Sequence, residues 1–246
     1  MSHPQRFATR ILLTLSLFYF STATAASVNP FDGSELGSNY ATFISPLERV
    51  VGPARKKERF IPHAYTLGER LVLLNATRFE PVNPHSAEDT AQQLAQIVTK
   101  DPEYTQPLEA ALKDAQSAAE GLAQQINAEN TVAFGMMFFV SSLYNVANTD
   151  SDVPNLVQIA MWNHFNRVLG SEYSFQKMDD AQKQALYDRL LALGLMVQVG
   201  YQTSLERQDL ERVLNFKGFA NDLLTDVLGL SQETPLEDYQ LPSTLK

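Results

Sequence analysis

From Thr131 to Ala147 the chain reads TVAFGMMFFVSSLYNVA, and Val132, Phe134, Met136, Met137, Phe138, Phe139, Val140, Leu143, Tyr144 and Val146 leave no helical face polar. A helix that is apolar all round has to be enclosed by protein or by lipid. The stretch is 17 residues long and holds Gly135, Ser141, Ser142 and Asn145, which is short of the roughly 20 residues that cross a bilayer. It therefore reads as the central helix of a bundle, with a membrane helix as the alternative. A second element of the same kind lies between Leu190 and Tyr201, LLALGLMVQVGY, where Gln198 is the one strongly polar side chain. Gly194 and Gly200 within it each cost about 1 kcal/mol against alanine in a helix. They are expected to admit another backbone closely, with Gly135 as the counterpart where the two apolar helices cross.

The surrounding pattern predicts an all-α fold, an irregular bundle of about five to six helices around these two, preceded by an extended arm. A first helix starts after Ser86, where Ser86-Ala87-Glu88-Asp89 resembles a capping box, and Asp101-Pro102 closes it. A second is expected from about Pro107 to Asn127, with Leu108, Leu112, Ala115, Ala119, Leu122 and Ala123 on one stripe. After the central helix, a fourth runs from about Pro154 to Leu169, and Gly170 is placed to end it. Asp179-Asp180-Ala181-Gln182 opens the longest, to about Arg207, and Gln208-Asp209 turns the chain into a final amphipathic helix from Leu210 to Leu228. Its apolar set includes Leu210, Val213, Leu214 and Ala220.

The two ends of the chain follow other rules. Residues 1–25 read as an export signal: Arg6 and Arg10, an apolar run from Ile11 to Phe20, then Ala23-Thr24-Ala25 as a small-residue cleavage site. The expected location is the periplasm or the exterior, with an uncleaved anchor as the alternative. Loss of the signal removes two arginines and no acid, so the formal net charge of −9 becomes more negative still. Such a surface disfavours nucleic acid and anionic lipid. Residues 26–85 are proline-rich and form the arm, in which Leu71 to Leu74 with Phe79 make a short strand or lie against the helical body. Its basic run Arg55-Lys56-Lys57-Glu58-Arg59 is a solvated loop or a docking patch. Residues 86–230 are the bundle, and residues 231–246 an acidic tail expected to be mobile.

The order of elements from Phe79 to Leu230 resembles an exported bacterial family known as domain of unknown function 6683. The residues that carry the likeness are Thr131-Val132-Ala133, Tyr144-Asn145, Met178 to Gln184, Leu191-Ala192-Leu193-Gly194, Gly200-Tyr201 and Gln208-Asp209-Leu210. The resemblance implies an all-helical exported domain and transfers no catalytic residue; the arm before Phe79 and the acidic tail lie outside it.

Chemistry is sparse. With no cysteine there is no disulfide, thiolate metal site or cysteine nucleophile. His63, His85 and His164 remain after export, with no pair at helical spacing and no hydrolase or phosphate-binding motif. Asn148, Asp150 and Asp152 imitate the start of a calcium loop, but Val153 stands at its glycine position and Ile159 at its glutamate position. No metal site or cofactor is expected. Tyr144 and Asn145 at the end of the central helix, Trp162 and His164 in the next, and Tyr201 in the long helix put polar groups beside apolar ones, as a binding pocket would. Ordinary boundary residues look the same. The reading is a non-catalytic exported module that binds a peptide, protein or envelope component. The alternatives are an envelope enzyme with dispersed carboxylates around His164, and a membrane-active protein.

Overall fold

The computed structural model describes residues 76–98, 102–148, 153 and 155–224. The stretches read from sequence as an export signal, a basic run, the turn at residues 149–152 and an acidic tail, and most of the expected arm, lie outside the described residues. Within them the chain is all α: α1 Ser86–Val98, α2 Pro102–Gln125, α3 Val132–Ala147, α4 Asn155–Ser171, α5 Tyr173–Gln176, α6 Asp180–Glu206 and α7 Leu210–Asp222.

Burial in α3 is unbroken from Val132 to Leu143, serines and glycine included, as its lack of a polar face demands. In α6 it is unbroken from Leu190 to Val197. The two helices pack on each other, α3 also on α4 and α7, and α6 also on α1, α2 and α7. Their crossing is close because it runs over glycine. A Cβ on Gly194 would stand 3.2 Å from Phe139 Cα, and one on Gly135 would stand 3.1 Å from the Tyr187 ring. Further along, Ser142 Oγ donates to Gln198 Oε1 at 3.4 Å. As α3 advances from 135 to 142, α6 advances from 187 to 198, so the pair runs parallel.

Gly200 has a different purpose from the one expected of it. The Phe216 ring of α7 occupies the place of its missing side chain, so this glycine seats α7. Gly170 also departs from expectation. The helix continues through it to Ser171, and a Cβ there would lie 2.8 Å from that of Ala76; the residue makes room for the incoming chain.

Local chemistry sets most of the boundaries. Asp179 caps α6, accepting from Gln182 N at 2.8 Å while Gln182 Oε1 accepts from Asp179 N at 3.1 Å, which closes a capping box. The same box is not what starts α1. Ser86 is already its first residue, and the entry is held by Asn83 Oδ1, which accepts from His85 N at 2.9 Å. α2 begins at Pro102, a turn and a half earlier than predicted, with Pro107 inside it. It ends in a Schellman motif: Asn127 has φ 56°, Ala128 N donates to Ala123 O at 2.8 Å and Asn127 N to Gln124 O at 3.1 Å. α6 ends the same way, with Gln208 at φ 57° and the bonds Asp209 N to Ser204 O and Gln208 N to Leu205 O, both 3.0 Å. Asp209 then caps α7 by accepting from Arg212 N.

The chain ahead of α1 is tied to the bundle. Phe79 N donates to Asn130 O at 2.9 Å, Arg78 and Thr131 form an isolated antiparallel bridge, and the Phe79 ring is buried 5.5 Å from that of Tyr187. This residue lies against the helical body, one of the two placements expected for it; Leu71 to Leu74 lie outside the described residues.

Candidate functional site

Two polar side chains stand one turn apart on the inner face of α6. Gln184 clamps the segment before α1: its Oε1 accepts from Val82 N at 2.9 Å and Asn83 N at 3.0 Å, and its Nε2 donates to Asn83 O at 2.6 Å. Asp188 faces α2. It is 3% exposed, and Gln116, which approaches it, is 1% exposed. Gln116 Nε2 donates to Asp188 Oδ1 at 3.4 Å. Burial, first of all, pushes the Asp188 carboxyl up to about 7; the like charge of Glu120 on α2 adds to this, and the Ser86 hydroxyl on α1 opposes it. Burial likewise raises Glu120 and the Tyr187 hydroxyl. A buried acid without a counter-ion favours its neutral form because the charge loses its hydration. The group thus offers a carboxyl that exchanges a proton near neutrality. Among the described residues no three of His, Cys, Asp and Glu come together in a way that would hold a metal ion.

The residues singled out from sequence are distributed over three helices. Tyr144 and Trp162 are half-buried against the core. Asn145 Oδ1 accepts from Val153 N at 3.2 Å, which holds the chain on its way into α4. Trp162 Nε1 is buried without a hydrogen-bond partner. The His164 ring meets Phe165 edge-on, with Nδ1 3.4 Å from an Arg167 nitrogen. Tyr201 is buried in the core. The raised carboxyls lie on α2 and α6, whereas His164 is on α4, which packs mainly on α3 and α5.

Sequence reasoning passed over Asp188, Gln116, Glu120 and the buried pair formed by Thr77 and Asn166, whose side chains hydrogen-bond. A signal existed for Asp188: it falls in register with Gln184, Leu191 and Leu195, so the apolar stripe of α6 carries an acid.

The surface holds one further departure. Leu210 and Leu214, expected on the inner stripe of α7, are 73% and 66% exposed; the core side is Val213, Phe216 and Ala220. Gly218, the next residue on that outer row, has open space where a Cβ would be.

The model of a family of unknown function, DUF6683, matches residues 53–234. It begins well before Phe79, so the family's extent takes in part of the stretch read above as an arm outside it. No curated protein and no solved structure matches the chain.

Proposed function

We propose that this chain, which belongs to DUF6683, a family of unknown function, is an exported, non-catalytic helical module that binds a peptide or protein through the outer row of α7. The observation that carries this is Leu210 and Leu214, one turn apart and facing water, in line with the open position at Gly218. Leucines at i and i+4 on a helix are the kind of anchors that a helix lays into an apolar groove of a partner. They stay exposed although the same helix buries Val213, Phe216 and Ala220, so the row is spare to the packing of α7. The placement of the raised carboxyls away from the helix that bears His164 favours binding over hydrolysis, which requires nucleophile, base and orienting group to converge. No described helix is long and apolar enough to cross a membrane.

A photo-crosslinking residue at position 214, with one at the exposed position 110 of α2 as control, tests this in the producing cell. A discrete adduct from 214 that disappears in Leu210→Ser and is absent from 110 is the expected result. Equal labelling from both positions, or none from 214, removes the α7 reading. Export is tested separately, by N-terminal sequencing: a chain that begins at Ala26 supports it, and one that begins at Met1 refutes it.

A further inference from the structure

We infer that Asp188 and Gln116 share one proton as a carboxylic acid–amide pair, and that this pair is a latch between α6 and α2 which loosens as the surroundings go from acidic to neutral. The hydrogen bond from Gln116 Nε2 to Asp188 Oδ1 accounts for one atom of each side chain. The other two, Asp188 Oδ2 and Gln116 Oε1, are both buried and both without a hydrogen-bond partner. As long as the acid is charged, both are acceptors and neither can satisfy the other. One proton on Oδ2 resolves both, because the acid then donates to the amide oxygen while its other oxygen accepts from the amide nitrogen.

Among the described residues, the groups that act on the Asp188 carboxyl include no cation. From α2 the carboxyl is faced by Glu120, a like charge, and from α1 by the Ser86 hydroxyl, which with the Gln116 amide N–H favours ionisation against the larger effect of burial. On α6 its neighbour Tyr187 is itself raised by burial and by Glu120, Asp188 and Glu129. Lys113 of α2 pairs with Glu109 and Arg78 ahead of α1 with Glu129, His85 lies beside Glu88, and Arg189, next to Asp188 on α6, is itself lowered by burial. Glu88 and Asp89 of α1 are exposed and act on Lys113.

The direction of the response follows from linkage. The carboxyl is raised in the folded chain to about 7, from an ordinary value of 3.8, so the folded state binds the proton more tightly than the unfolded one. The stability it contributes is full below about pH 4, is lost as pH rises through the interval up to about 7, and then levels off. Inside that interval each pH unit shifts the opening equilibrium by about tenfold.

Carbon-13 NMR titration of the side-chain carboxyls in the full chain, combined with amide hydrogen exchange, tests the latch. The Asp188 carboxyl should titrate near neutrality, and exchange in α2 should rise by about tenfold per pH unit up to that midpoint after correction for intrinsic rates. Asp188→Asn keeps both hydrogen bonds in nearly the same shape, so α2 should stay protected at pH 8 and the rise should vanish. Glu120→Gln should lower the midpoint, because the like charge is gone. An Asp188 carboxyl that titrates in the ordinary carboxylate range overturns the inference. So does an Asp188→Asn variant that fails to fold or that keeps the parent's pH response.

Discussion

Helix α6 meets α3 and α2 with opposite chemistry. Towards α3 it offers Leu190, Leu193, Gly194 and Val197 to a partner that is apolar on every side, and the two backbones come within a Cβ's reach of each other. Towards α2 and the chain before α1 it offers Gln184 and Asp188, and contact is made by hydrogen bonds from these two buried side chains. The first contact is specified mainly by shape, with Gly194 against the Phe139 backbone and no carboxylate in it. The second is specified by a proton and a few hydrogen bonds, each modest in net worth yet costly if half-made. One helix therefore carries a seam built to be permanent and another whose strength depends on the solution around it.

The sharpest way to break this comparison is to put charge into the permanent side. Leu193→Asp places an unpaired carboxylate at a fully buried position, a cost of several kcal/mol in a domain stable by about 5–15. Cooperative thermal unfolding should disappear; a variant that melts like the parent contradicts the burial of this seam. Gly194→Val tests shape alone. Its Cβ would meet the backbone of Phe139, which cannot rotate away, so a loss of about 3 kcal/mol is expected in denaturant melts. An unchanged midpoint shows that the two helices have room to part.

On the polar side the effects are smaller and local. Gln184→Ala removes three hydrogen bonds to Val82 and Asn83 and should cost about 1–2 kcal/mol. Faster amide exchange confined to residues 79–85 and the start of α1 is the signature; uniform exchange through the whole bundle would mean that the clamp supports more than this segment. The smallest effect concerns the end of α6. Gln208 holds a left-handed conformation that glycine adopts freely, so Gln208→Gly should be neutral or stabilising by up to about 1 kcal/mol. A clear destabilisation would show that the glutamine side chain contributes beyond its backbone.

Much of the seam was legible because its cause is local to each segment. The absence of any polar face in Thr131 to Ala147 demands enclosure whatever surrounds it, and Asp179 with Gln182 is a capping signal complete within four residues. The close approach at Gly194 was readable for a similar reason, since glycine inside an apolar helix needs an explanation. Gly200 and Gly170 were misread because their neighbours, Phe216 and Ala76, come from elsewhere in the chain. Pro107 reads as a start signal, yet α2 begins at Pro102 and passes through it. Leu210 and Leu214 fit an amphipathic stripe as well as Val213 and Phe216 do, and only the docking angle of α7 decides which pair is covered. The pairing of Gln116 with Asp188 joins residues 72 positions apart, and ordinary surface glutamine and aspartate look the same in a sequence.

The parallel course of α3 and α6 has a consequence for how the chain is made. Their side chains meet across a separation such as the 56 positions from Ser142 to Gln198, while α1 with α2, and α6 with α7, are joined by short connections. The hairpin-like pairs can assemble as soon as they are synthesised, but the most apolar helix has to wait for a partner that is still to come. Closing so long a loop slows folding and leaves sticky surface uncovered in the interval. Nascent chains that end between α4 and α6 should therefore be the species that chaperones hold longest, and slowing elongation ahead of α6 should raise aggregation more than slowing it anywhere after α7.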